Sequence, residues 1–337
     1  MCIQNIKKSI IARSLTKLKK KTPFDARAAE AYALPKNADT FTNNSYYFTA
    51  HAADGGVLIF RLGLRGGGLA EVWFLYRMPD GLVYAAVTER SQGAAPEAFV
   101  RCVQSETVWE FGFDGVAAVG AAQRRVKLTA EFAANTPIFE FSHHMDAAPV
   151  ARALAAERWT KDFRAALKVN HQTHYEQGGT VSARITDGGA VYAIDGQAVR
   201  DHSFGHRDWS YMDRHYWLSA LLDDGSVFNV NAVQYPALKG LQTGYRIKRD
   251  GRTVCVDTSD NLYRDVTQEG APQRVTLYGT MTDGKPFALT ATLVGSHKYV
   301  MDDGAYNLYE GYGTYDLNGL KGRGIIEFGF NGDRTRW

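Results

Sequence analysis

The chain has 337 residues, enough for two domains of ordinary size. At 45% hydrophobic and 22% charged it can bury a core, and no apolar run approaches the ~20 residues that span a bilayer. The net charge is +3, but residues 1–21 hold seven Lys or Arg and no acid, so the rest is mildly acidic and offers nucleic acid no basic surface.

In chain order, residues 3–21 set Ile6, Ile10, Leu15 and Leu18 among basic residues, the pattern of an amphipathic helix ending before Pro23. Three readings of this tail stand: a solvated segment, an organelle-targeting segment, or a peripheral contact with an anionic membrane surface. The localisation expected is cytoplasmic or organelle-targeted, neither secreted nor transmembrane. An Ala-rich stretch from Phe24 to Pro35 predicts a short helix.

Strand, Gly/Asp turn, strand then repeats, through Ser45–Ala50, Val57–Leu64, Leu69–Met78 and Leu82–Val87. This is antiparallel patterning. Arg65-Gly66-Gly67-Gly68 lacks phosphate-loop spacing and reads as a hairpin turn. One helix is expected over Ala148–Lys168. A hairpin follows around Asp187-Gly188-Gly189, and a domain boundary is expected near Asp195-Gly196. Further strands run from Tyr216 to Phe330. High aromatic content (12%), 33 Gly and only 9 Pro agree with β structure. The organisation expected is a basic tail over 1–24, a β domain over 25–196 carrying the helix, and a second β domain over 197–337. The fold class is all-β with one or two helices, as two antiparallel barrels or sandwiches.

One stretch breaks the pattern. Arg200-Asp201-His202-Ser203-Phe204-Gly205-His206-Arg207-Asp208-Trp209 holds two acids, two histidines and two arginines in ten residues. A core tolerates such charge only if the groups pair. It reads as a buried hydrogen-bonded knot, as a binding or catalytic site, or as both. Asp201, His202 and Asp208 are the candidate proton donors or relays. A carboxyl among aromatics keeps its proton, whereas one beside Arg200 or Arg207 loses it, so the arginines are candidate positioning groups. His174, Tyr175, His206, Trp209, Tyr211 and Trp217 are candidate substrate-binding residues. His202 and His206, four apart, would lie about 13 Å apart on a strand, too far for one zinc ion. His171 and His174 meet a similar objection. Cys2, Cys102 and Cys255 are scattered, with no CxxC spacing, so neither a disulfide scaffold nor a zinc site is expected. No GxSxG, P-loop or dinucleotide fingerprint is present, and no metal or cofactor is expected.

The decamer resembles the R-D-H-S-W-G-x-R-D-W segment of a large family of two-domain β proteins, with Phe204 in place of Trp. His174-Tyr175-Glu176-Gln177 is similar to that family's H-Y-E-Q segment, and the resemblance runs over about residues 25–331. More distantly, Asp201-His202 and Gly205 resemble the D-H-x-x-G of carotenoid 1,2-hydratases and related proteins. That likeness implies tandem lipocalin-like barrels and a large apolar ligand such as an isoprenoid, polyketide or lipid. It implies acid-assisted hydration, isomerisation or cyclisation, or else carriage of lipid without catalysis. Phe204 weakens any cation–π role implied for the family's Trp.

Overall fold

The computed structural model describes residues 3–90, 95–169, 172–263, 270–301 and 304–336; His171 lies outside them. Two helices open the chain, α1 (Ile3–Lys21) and α2 (Ala26–Glu30). Asp25 starts α2 by accepting a hydrogen bond from Ala28 N at 3.1 Å. Contacts divide the chain into two compact units. One comprises Asp25–Phe141 and His171–Arg207; the other comprises Met1–Phe24, Ser142–Asn170 and Asp208–Trp337.

The first unit is a ten-stranded antiparallel sheet. Its strands are β1 (Thr42–Ala52), β2 (Val57–Arg65), β3 (Leu69–Arg77), β4 (Val83–Arg90), β5 (Ala98–Gln104), β6 (Val108–Val119), β7 (Ala122–Ala134), β8 (Phe139–Glu140), β9 (Gln172–Asp187) and β10 (Ala190–His206). The ladder returns on itself, because β9 pairs with β7 and β10, and β10 pairs with β1. Alternation then decides burial. Phe48, Phe60, Phe74, Phe111, Phe113 and Phe132 fill the interior. Phe48 stacks on Phe111 with ring centres 4.2 Å apart. The Gly66–Gly68 segment is the expected turn between β2 and β3. A Cβ on Gly66 would sit 1.8 Å from the Asp39 carbonyl oxygen, so only glycine fits.

The second unit is a closed antiparallel barrel. It runs through β11 (Arg214–Leu222), β12 (Val227–Tyr235), β13 (Leu238–Ile247), β14 (Thr253–Ser259), β15 (Arg274–Met281), β16 (Pro286–Met301), β17 (Tyr306–Leu317) and β18 (Leu320–Asn331), which pairs back to β11. After the short α3 (Phe141–His144), helices α4 (Ala147–Ala156) and α5 (Lys161–Val169) replace the single helix expected over 148–168. Glu157 is extended, at φ −79° and ψ 154°, and Thr160 Oγ1 accepts from Phe163 N to start α5. Helix α1 packs on α4 through Ile11, Leu15, Ala151 and Ala155, so the basic tail is part of this unit.

The division after Arg207 also differs from the boundary expected at 196/197. That boundary falls inside β10, which runs unbroken alongside both β1 and β9. Gly196 is not a turn residue: a Cβ there would meet the His51 carbonyl oxygen at 2.6 Å. Among the described residues, no helix is long and apolar enough to cross a membrane.

Filling by aromatics makes the first unit sensitive to truncation. Phe48, with no exposure, should lose about 3–5 kcal/mol in urea unfolding when replaced by alanine. Val87→Ala, at a side chain 54% exposed on β4, should change stability by less than about 0.5 kcal/mol. Equal effects would contradict this assignment of faces.

Candidate functional site

The decamer lies mostly on β10, so neighbouring residues point to opposite faces. Arg200 and His202 share the face of Ala198, which belongs to the core. Asp201 is on the other face. The register places Tyr175 opposite His202 and Glu176 opposite Asp201.

The inner face carries a buried polar network. Arg200 is 1% exposed. One guanidinium nitrogen donates to Glu30 Oε1 at 3.1 Å and to Gln177 Oε1 at 2.8 Å. Its plane lies over Trp109, 4.6 Å from the ring centre. Glu30, at the end of α2, also accepts from Ser105 Oγ at 2.6 Å and from Glu106 N at 3.0 Å. The charge pair is thereby hydrogen-bonded on both sides, the condition for keeping ions out of water.

His202 sits beside it with no exposure. Asn44 Nδ2 donates to Tyr32 O and Tyr46 Oη, which leaves Asn44 Oδ1 as acceptor. His202 Nε2 therefore donates to Oδ1 at 2.7 Å, and Nδ1 accepts from the Tyr175 hydroxyl at 2.7 Å. The ring stacks on Tyr46 at 4.2 Å. Burial, then the charges of Arg200 and His174, push its pKa well below the ordinary value. His202 is a neutral imidazole with both nitrogens engaged, which suits bracing better than proton donation. Burial likewise raises the Tyr175 hydroxyl pKa, although Arg200 opposes it.

The outer face carries the second cluster. His174 Nε2 and Asp201 Oδ2 are directly hydrogen-bonded, with side chains 18% and 19% exposed. His174 stacks on Phe141 at 4.8 Å. Glu176, two residues along β9 on the same face, is buried. One ligand atom from each of His174, Glu176 and Asp201 falls within 4.8 Å of the others. Such spacing would also admit a divalent cation. The direct bond between His174 and Asp201 is what supports a proton-sharing reading. Burial works against a charge on His174. The charge and hydrogen bond of Asp201, helped by Glu176, outweigh it against Arg207, and the pKa is raised.

Residues 27–332 match the family described as a domain of unknown function (DUF7064). The chain belongs to this family. Curated protein sequences gave no match. Among solved structures, the DUF7064 chain is similar to an AttH protein from Nitrosomonas europaea, with 15% identity and a TM-score of 0.58 over 91% of this chain and 97% of that one. It is similar to kievitone hydratase from Nectria haematococca, with 10% identity and a TM-score of 0.54 over 89% and 93%. It is also similar to CghA, with 9% identity and a TM-score of 0.52 over 92% and 95%. These likenesses show a shared lipocalin-like β fold.

The remaining candidates of this DUF7064 chain divide between its units. His206 packs on Phe41 at 5.5 Å, and Arg207 N donates to Phe41 O at 2.7 Å, both in the first unit. Asp208, Trp209, Tyr211 and Trp217 belong to the second. Asp208 Oδ1 accepts from Ser210 Oγ at 2.5 Å and Tyr211 N at 3.2 Å, so it caps a turn. Trp209 is buried against Tyr306, 5.4 Å between ring centres, and Tyr211 stacks on Tyr235 at 5.8 Å. Trp217 is half-buried on β11. The second unit has its own imidazole–carboxylate pair, His215 with Glu327, and Tyr306 Oη lies 2.6 Å from His215 Nδ1. An open depression of about 370 Å³ lies in the second unit, lined by Lys19, His143, His144 and Cys255 among others; none of the proposed acids lines it.

Sequence reasoning did not foresee Glu30, Asn44 or Tyr46 in the network. Only Glu176 had a local signal, since it shares a strand face with His174. If His202 is a brace, His202→Ala removes the buried hydrogen bonds to Asn44 Oδ1 and the Tyr175 hydroxyl and should cost about 2–4 kcal/mol in denaturant unfolding. A loss under about 0.5 kcal/mol would remove the bracing role.

Proposed function

We propose that this protein binds a hydrophobic small molecule, of isoprenoid, polyketide or lipid type, and adds water to it by acid assistance at His174 and Asp201. The observation that carries this reading is the His174–Asp201 pair, an imidazole hydrogen-bonded to a carboxyl group, only partly exposed, with Glu176 beside it. Exposure of 18% and 19% leaves the pair reachable, while the buried network beneath holds β9 and β10 in register. The hydratase among the fold neighbours supports hydration over isomerisation or cyclisation.

The chemistry balances with water alone. The His174–Asp201 pair gives a proton to one carbon of an alkene, leaving a carbocation on the other. Glu176 and the deprotonated pair stabilise that cation. Water adds to it, and its surplus proton returns to the pair. Proton transfer by a positioned group contributes about 10²–10⁴-fold. Arg200 and His202 are positioning residues. Asp208, as a turn cap, takes no part in the transfer.

The test uses the apolar ligand extracted from purified protein and identified by mass spectrometry. Turnover is followed by incorporation of ¹⁸O from labelled water. Asp201→Asn should lower turnover at least about 100-fold while the protein still binds the ligand. Turnover within twofold of wild type would overturn the acid assignment. Binding without any turnover in wild type would leave a lipid carrier as the function.

The pH dependence has a definite sign. The His174 pKa is raised above 6.5, so its charged form and ion pair are complete below that pH and are lost as pH rises through the raised value. Activity should hold near pH 6.5 and fall on the alkaline side. Asp201→Asn should move the fall to lower pH in whatever residual activity remains.

A further inference from the structure

The basic first helix packs with one face only. Ile11 is buried against Ala151 and Ala155 of α4, with Leu15 and Ala12 alongside, and Lys19 donates to the Met145 carbonyl. The opposite face has no such cover. Ile6 is 46% exposed, Ile10 60% and Leu18 57%. At 100° per residue Ile6 and Ile10 share the outward side of the cylinder, while Leu18 falls at its edge, next to the buried Ile11. Arg13, Lys17, Lys20 and Lys21 are exposed on or beside the same arc. Lys7 lies 5.7 Å from the ring centre of Trp159, which is itself 40% exposed. The helix carries no acid at all.

We propose that this face of α1 docks the protein on the surface of a bilayer rich in anionic phospholipid. The chemistry is complementary in both respects. Bulky apolar side chains enter the boundary between headgroups and acyl chains, and lysines and arginines meet the negative surface potential. An indole such as Trp159 suits that boundary, because it joins an apolar body to a polar N–H. The inner face of α1 stays on α4 during docking. The helix thus acts as a fixed platform and does not have to peel away from the barrel. A second copy of this chain is a poorer occupant, since two such faces would bring like charges together. Docking would also set the protein beside a source of apolar molecules, although the proposal does not depend on catalysis.

The test is co-sedimentation of the full chain with vesicles at low ionic strength. Vesicles of 70% phosphatidylcholine and 30% phosphatidylserine should bind wild type at least tenfold more tightly than pure phosphatidylcholine vesicles. Binding should weaken as salt rises. Ile10→Glu places an acid in the middle of the exposed face and should lower affinity at least tenfold. Its thermal unfolding should match wild type, because Ile10 supports no core contact. Equal binding to both vesicle types, or unchanged binding of Ile10→Glu, would overturn the proposal. So would a concentration-dependent dimer that Ile10→Glu abolishes while vesicles bind neither protein.

Discussion

The buried ion pair between Arg200 and Glu30 is the constraint on which the first unit's polar end depends. Moving two charges out of water is costly, and their attraction offsets that cost only when the remaining donors and acceptors are met. Here Gln177 takes a second guanidinium hydrogen bond, and Ser105 and Glu106 donate to the carboxylate, leaving Nε as the one donor of the Arg200 guanidinium that is buried without a hydrogen bond. The pair therefore ties α2, β9, β10 and the turn after β5 to one point. Deleting either partner would strand the other charge in the core.

From that point the strand's alternation does the sorting. Arg200 and His202 face inward, where exposure is nearly zero and a neutral imidazole is favoured. Asp201, between them, faces outward and meets His174, where a charged imidazole is favoured. Two histidines opposite neighbouring residues of one strand pair thus have their pKa values pushed in opposite directions. Separated pKa values are the arrangement that assigns acid and brace within one site. The structural-knot reading of the decamer fits the inner face of the strand, and the proposed acid chemistry draws on the outer face.

Much of this was legible in the chain. The antiparallel turns and the aromatic content led to two β units, and the decamer's charge density marked the strand that carries the buried ion pair. Alternation alone could have separated Asp201 from His202, and grouping them as joint proton donors overlooked it. The partners of Arg200 were not legible, because Glu30 lies 170 residues away and nothing local marks it. Asp195-Gly196 reads in sequence as a domain boundary, but its glycine serves close approach of β1. The Ala-rich helix gave no local sign of its break, which shows only as the extended Glu157. Asp208 looked equivalent to Asp201 by composition. Its place just past the end of β10 makes it a turn cap instead.

The central claim is that the two faces of β10 hold His174 charged and His202 neutral. Nitrogen-15 NMR of the imidazole rings reads this directly. At pH 6.5, His174 should be mostly doubly protonated and should titrate above that pH. His202 should show a single proton on Nε2 and stay unprotonated well below 6.5. A neutral His174 at pH 6.5, or a His202 that titrates at the ordinary value, would contradict the account.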